Sequence, residues 1–188
     1  NSLSNHLIPG IDSSGIPHQL KNTAFPFQYN NFEMLKKIVK EKKIGIIKME
    51  VQRNYYPKNN FLQKVRKLAS DNGIVLIFDE CSSGFRQSFG GLHKLYGVEP
   101  DMAIFGKALG NGYAITAVIG RKAIMDIAQN TFISSTFWTE RIGPVAGLKT
   151  LDIMEREESW QYITEKGDYI STQWQILAAR HGLDVKLS

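Results

Sequence analysis

The hydrophobic positions of this chain fall into short runs that switch between helical and strand-like spacing. Phe32, Leu35, Ile38 and Val39 recur on one helix face and predict a helix over 32–43. The apolar string over 44–49 then reads as a short buried strand. Phe61, Val65 and Leu68 predict a second helix over about 60–72, ended by Gly73 in a left-handed turn. Residues 74–78, Ile-Val-Leu-Ile-Phe, show no alternation, which predicts a parallel strand buried on both faces. Apolar runs at 102–105 and 114–119 predict two more strands. Helices are expected over 122–128, 140–155 and 159–180, with Gly182 just beyond the last. On that last helix Trp160, Ile163, Ile170, Trp174 and Leu177 form a stripe read as packing. The alternation of strands and helices implies an α/β fold, a three-layer sandwich with a mainly parallel sheet. Residues 1–31, rich in Ser, Asn, Pro and Gly, keep no period and read as an irregular connecting segment.

Composition narrows the class. With 43% hydrophobic and 22% charged residues the chain reads as a soluble globular domain. Its longest apolar run falls far short of the roughly 20 residues of a membrane-spanning helix. Residues 1–10 lack the charged start and long apolar core of a signal peptide, so a cytoplasmic protein without a membrane partner is expected. A single cysteine, Cys81, excludes an internal disulfide and agrees with a reducing compartment. Zinc-ligand spacing is absent, and no metal site is expected. The net charge of +5 owes much to Lys36, Lys37, Lys40, Lys42 and Lys43. Without interleaved aromatics these read as a solvated helix end and not as a nucleic-acid surface.

Candidate chemistry begins where the strand over 74–78 delivers Asp79 and Glu80. In α/β sheets, ligands gather at the carboxyl ends of strands. An Asp-Glu pair there also serves as a helix cap or a surface ion pair. Lys107 follows the strand over 102–105 inside Phe-Gly-Lys-Ala-Leu-Gly-Asn-Gly, where Gly106, Gly110 and Gly112 leave the backbone free to approach a bound group. The spacing is not that of a phosphate-binding Lys loop, and Ala108 stands where a hydroxyl is needed. A strand-end lysine has a covalent use as well, since its amine forms an imine with an aldehyde. An aldehyde cofactor acting as an electron sink needs a carboxylate opposite its ring nitrogen. Lys107 and Asp79 supply both groups.

The strings L-I-F-D-E-C-S-S-G-F-R and G-G-L-H-K-L-Y-G-V-E-P-D-M-A-I-F-G-K-A-L-G-N-G-Y-A-I-T-A-V-I-G closely resemble the signature of class III pyridoxal-phosphate aminotransferases. The branch they look most like contains glutamate-1-semialdehyde aminomutase. The resemblance runs from about Gly15 to Glu155 and implies the core of the large domain of a fold-type-I enzyme, over 32–158. Residues 159–188 are then a long helix leading toward a small C-terminal domain. It also implies pyridoxal 5'-phosphate as cofactor, a small-molecule amino donor and carbonyl acceptor as substrates, and a homodimer. Lys107 becomes the Schiff-base lysine and later proton shuttle, and Asp79 the partner of the pyridinium nitrogen. Cys81 takes the place of the family's usual valine against the ring. Ser82 stands where many relatives place glutamine near the phenolic oxygen, a place a hydroxyl reaches only with water or a closer backbone. Arg86, in G-F-R, is expected in a structural ion pair. Glu50 matches the glutamate of the family's V-E-P element, but the string here is M-E-V-Q-R-N-Y-Y-P, without that proline. Thr136 matches a threonine that reaches the phosphate held mainly by the other subunit, and the helix starting near Thr139 or Glu140 is expected to aim its amides at the same anion. The phosphate-cradling loop of the family has no counterpart in these residues. Little turnover is therefore expected of the 188-residue chain alone. The competing reading is a non-catalytic scaffold or dimerisation domain.

Overall fold

The computed structural model describes residues 15, 17–20, 22–52, 54–136 and 139–187. Much of the irregular stretch expected over 1–31 lies outside them. The chain divides into two compact units, Asn1–Ile44 and Gly45–Ser188. In the first, α1 (Phe32–Glu41) forms where the apolar period predicts it. Its first turn is capped by Asn31, whose side-chain oxygen accepts the Met34 N–H at 3.0 Å.

The second unit is built on β1 (Ile46–Glu50), β2 (Val75–Asp79), β3 (Met102–Phe105) and β4 (Ala117–Gly120), in that spatial order. The first three are parallel and β4 is antiparallel to β3, so the sheet is mainly parallel, as expected. Between β1 and β2 runs α2 (Phe61–Asp71). Phe61, Leu62, Val65 and Ala69 bury its inner face, each large side chain contributing about 1.5–3 kcal/mol. Gly73 ends the turn after it at φ +64°, the left-handed conformation that suits glycine.

Burial along β2 alternates, against the expectation of a strand covered on both faces. Leu76 and Phe78 are fully buried while Val75, Ile77 and Asp79 are only half-buried. The same alternation in β1 buries Ile47 and Met49 and leaves Ile46 59% exposed. One face of the sheet therefore holds the core. The other carries Lys48, Glu50 and Asp79 at neighbouring positions of the parallel register.

The fourth strand starts three residues later than expected. A close helix contact holds the backbone before it: a Cβ on Gly143 would stand 2.6 Å from the Ala114 carbonyl. Lys122–Met125 forms a short α3 and tightens into a 3-10 segment over Asp126–Asn130. Two long helices follow, α4 (Ile142–Glu157) and α5 (Ser159–Arg180), separated by Glu158 at φ +47°. The apolar stripe of α5 is only partly covered. Trp160 meets the Phe89 ring at 5.4 Å, but Trp174 is 57% exposed and only Ala178 of the helix is buried. No helix among the described residues is long and apolar enough to cross a membrane.

Candidate active site

Three parallel strands end side by side, and Glu50, Asp79 and Lys107 lie at or just beyond those ends. Glu50 closes β1 and pairs in register with Asp79, which closes β2, and Asp79 pairs with Ile104 of β3. Three residues beyond Ile104 stands Lys107, with its backbone in the left-handed region at φ +41°. A non-glycine residue there carries roughly 1–2 kcal/mol of backbone strain, held in place by the structure around it. Buried Gly106 precedes it and buried Leu109 anchors the following turn to Phe85, Ile115 and Leu151. The exposed Lys107 ammonium donates to Ser82 Oγ at 2.5 Å.

Asp79 is two-sided. Its Oδ1 accepts the Cys81 N–H at 3.2 Å, and its Oδ2 meets Lys48 Nζ at 2.7 Å. Burial pushes this carboxyl up, but the Lys48 hydrogen bond and charge and the Cys81 N–H outweigh it, leaving the group below its ordinary value. Cys81 lies between the charges. Burial first, then the Asp79 carboxylate, push its thiol up, while Lys107 and Lys48 pull the other way. Its Sγ lies 3.4 Å from where a Cβ on Gly106 would stand, so the β2 and β3 ends touch through the thiol.

Sequence reading missed the support beneath this cluster. Glu80 is fully buried and continues the ladder, its N–H donating to Ile104 O at 2.8 Å. Its side chain accepts the His93 N–H at 3.0 Å, bonds His93 Nδ1 at 2.8 Å and accepts from the Ser83 hydroxyl. Burial raises the Glu80 carboxyl, and the bonds from His93, Ser83 and Leu92 more than reverse it. The loop bearing Cys81 and Ser82 is thereby clamped from inside. Arg86 also ties this loop: its Nε donates to Ser82 O at 2.6 Å, and among the described residues no carboxylate forms the expected ion pair with it. The only hint of Glu80's role was the sequence Asp-Glu itself, and His93 carried no signal.

Two further features stand apart from this cluster. Thr136 is exposed and, among the described residues, no hydrogen bond ties it to Lys107, Asp79, Cys81 or Ser82. The first amides of α4 meet the Glu140 carboxylate, which accepts from Ile142 N–H and, at 3.3 Å, from Gly143 N–H.

An amine, a carboxylate kept ionised and a small thiol around one strand-end crevice fit an aromatic aldehyde with a basic ring nitrogen. Solved structures of like fold agree on the class. The FumI protein of Sphingopyxis sp. MTA144, in its pyridoxal-phosphate internal aldimine form, superposes with a TM-score of 0.82 at 25% identity, over 86% of this chain and 41% of that one. An omega-transaminase from Sphaerobacter thermophilus does so with a TM-score of 0.68 at 26% identity, over 75% of this chain and 35% of that one. The fold is that of the pyridoxal-phosphate transaminases. More narrowly, the aminotransferase class-III family model matches residues 23–185, and the chain belongs to that family. Among curated relatives, the 3-aminobutyryl-CoA aminotransferase of Cloacimonas acidaminovorans (strain Evry) is 39% identical over 186 residues, 93% of this chain and 44% of the relative. The glutamate-1-semialdehyde 2,1-aminomutase of Citrifermentans bemidjiense is 33% identical over 169 residues, 85% of this chain and 40% of the relative. The chain spans less than half the length of these relatives.

Proposed function

We propose that this chain forms the cofactor-binding core of a pyridoxal-phosphate-dependent enzyme that moves an amino group between a small-molecule donor and a carbonyl acceptor. The observation that carries the reading is the gathering of Lys107, Asp79 and Ser82 around Cys81 at the ends of β2 and β3. Lys107 Nζ would hold the cofactor through its aldehyde, and Asp79 would face the ring nitrogen as an anion. When bound, the cofactor supplies an aldehyde for amines and a ring that accepts electrons.

The chain's own groups then divide the remaining work. Lys107 Nζ would also act as the base that takes the substrate α-proton and returns it elsewhere on the substrate. Ser82 Oγ, within hydrogen-bond reach of that amine, would orient it and, through a bridging water, serve the cofactor's phenolic oxygen. Cys81 would pack beside the ring as a small apolar surface. Glu50 borders Asp79 from β1. Thr136, exposed and apart from this cluster, serves the phosphate of a second copy, so a homodimer in the reducing cytoplasm belongs to the same reading.

Adding pyridoxal phosphate to the purified protein should produce a visible absorption band. Borohydride should then fix the cofactor on the peptide containing Lys107, read by mass spectrometry. Lys107→Ala should abolish both. An unchanged band in that variant, or label on another lysine, refutes the assignment.

A further inference from the structure

Lys48 gives Asp79 a second cation. On β1, Lys48 precedes Glu50 by two residues, so it shares the Asp79 face of the sheet and lies diagonally across from it in the parallel register. It is a lone charge within Ile-Ile-Lys-Met. Its ammonium meets Asp79 Oδ2 at 2.7 Å while Oδ1 accepts the Cys81 N–H at 3.2 Å, so each carboxylate oxygen already has a donor. The other titratable groups bordering Asp79 are Glu50 beside it on β1, Cys81 in its own loop and Lys107 beyond β3.

We propose that Lys48 is a positioning residue for Asp79: it fixes the carboxylate's orientation and shares its charge, so that a protonated ring nitrogen facing Asp79 is held less firmly than by an unshared carboxylate. This rests on the cofactor reading above. A carboxylate facing one cation raises that cation's proton affinity; a second cation on the same carboxylate repels the first and offsets part of the gain. With its side chain 54% exposed, the Lys48 ammonium meets Asp79 while still in contact with solvent. Lys48 thus moderates the site, keeping the ring nitrogen nearer to the point where it exchanges its proton. An ordinary surface ion pair would leave the ring nitrogen's titration untouched.

Two measurements test the inference on the protein. In the cofactor-free form, carbon-detected NMR of the Asp79 carboxyl should show its titration moving up in Lys48→Met and staying put in Lys48→Arg. In the form loaded with ring-15N pyridoxal phosphate, the nitrogen should deprotonate about one pH unit or more higher in Lys48→Met, and near the wild-type pH in Lys48→Arg. Lys48→Gln replaces Lys48→Met should the latter fail to fold. A nitrogen titration unchanged in the neutral variant, or shifted equally by arginine, overturns the inference alone. Absence of the visible band from wild-type protein overturns the cofactor reading and this inference with it.

Discussion

Replacing Glu80 by glutamine preserves the outline of a buried side chain and removes its charge. In the native protein Oε1 serves both the His93 N–H and His93 Nδ1, and Oε2 serves the Ser83 hydroxyl. A glutamine can keep its carbonyl toward His93 and turn its amide to Ser83, whose hydroxyl rotates to accept. All three contacts survive without charge assistance, a loss of roughly 1 kcal/mol each, partly offset because a neutral group is easier to bury. The net loss should be about 1–2 kcal/mol. Glu80→Ala instead strands the buried donors of His93 and Ser83 and opens a cavity, for about 3–5 kcal/mol. At roughly 2–4 °C per kcal/mol for a chain of this size, the melting temperature should fall by about 2–8 °C in the first variant and about 6–20 °C in the second. Thermal unfolding at pH 7 followed by far-ultraviolet circular dichroism measures both. Equal losses in the two variants, or an alanine loss below about 1 kcal/mol, would refute the idea that Glu80 organises this loop through hydrogen bonds.

Asp101→Asn should destabilise by about 2–4 kcal/mol in urea unfolding, because buried Asp101 Oδ2 accepts from Arg66 and the Leu76 N–H, both at 2.8 Å, and Arg121 lies 3.2 Å from Oδ1; Arg66→Met should remove most of the additional effect in a double-mutant cycle. Burial raises the Asp101 carboxyl, but the Leu76 N–H and the two arginines hold it below its ordinary value, as their counterparts do for Glu80. The unfolded chain therefore binds protons first, so this stability is fully present above about pH 4–5 and drains away as pH falls through the native values, a trend that Asp101→Asn should flatten in acid-unfolding curves. Gly84→Ala should lower stability by about 1–3 kcal/mol and weaken cofactor binding, since its Cβ would stand 2.7 Å from the Phe105 ring and 2.8 Å from Glu80 O; a neutral result in calorimetry would show that the loop yields.

Periodic segments were legible in the sequence because their signals are local. The strand Met102–Phe105 and the helix Ser159–Arg180 fall where the pattern puts them, and Gly73 ends its turn as a left-handed glycine should. The alternation in β2 was not legible, since Ile, Val, Leu and Phe occupy both of its faces and only the surrounding chain decides which is covered. At the site, Lys107 and Asp79 stood out because a lysine among glycines and an acid at a strand end are unusual on their own. Lys48, His93 and Asp101 did not, and Glu80 drew notice only as the neighbour of Asp79. Their roles arise from pairs 31, 13 and 35 residues apart, separations that no window along the chain can join.

In the proposed role of Lys107, its left-handed backbone separates the anchor of the amine from its tether. A lysine side chain is four methylenes on free rotors and could deliver its amine over a wide arc. What narrows the arc is where the arm starts, at an α-carbon turned at φ +41° between a buried glycine and a turn packed into the core. The arm is thus exchangeable while the shoulder is not: a cysteine at 107 lengthened chemically to an aminoethyl thioether would restore an amine of nearly the same reach, whereas a true lysine moved to 108 would swing from the wrong joint.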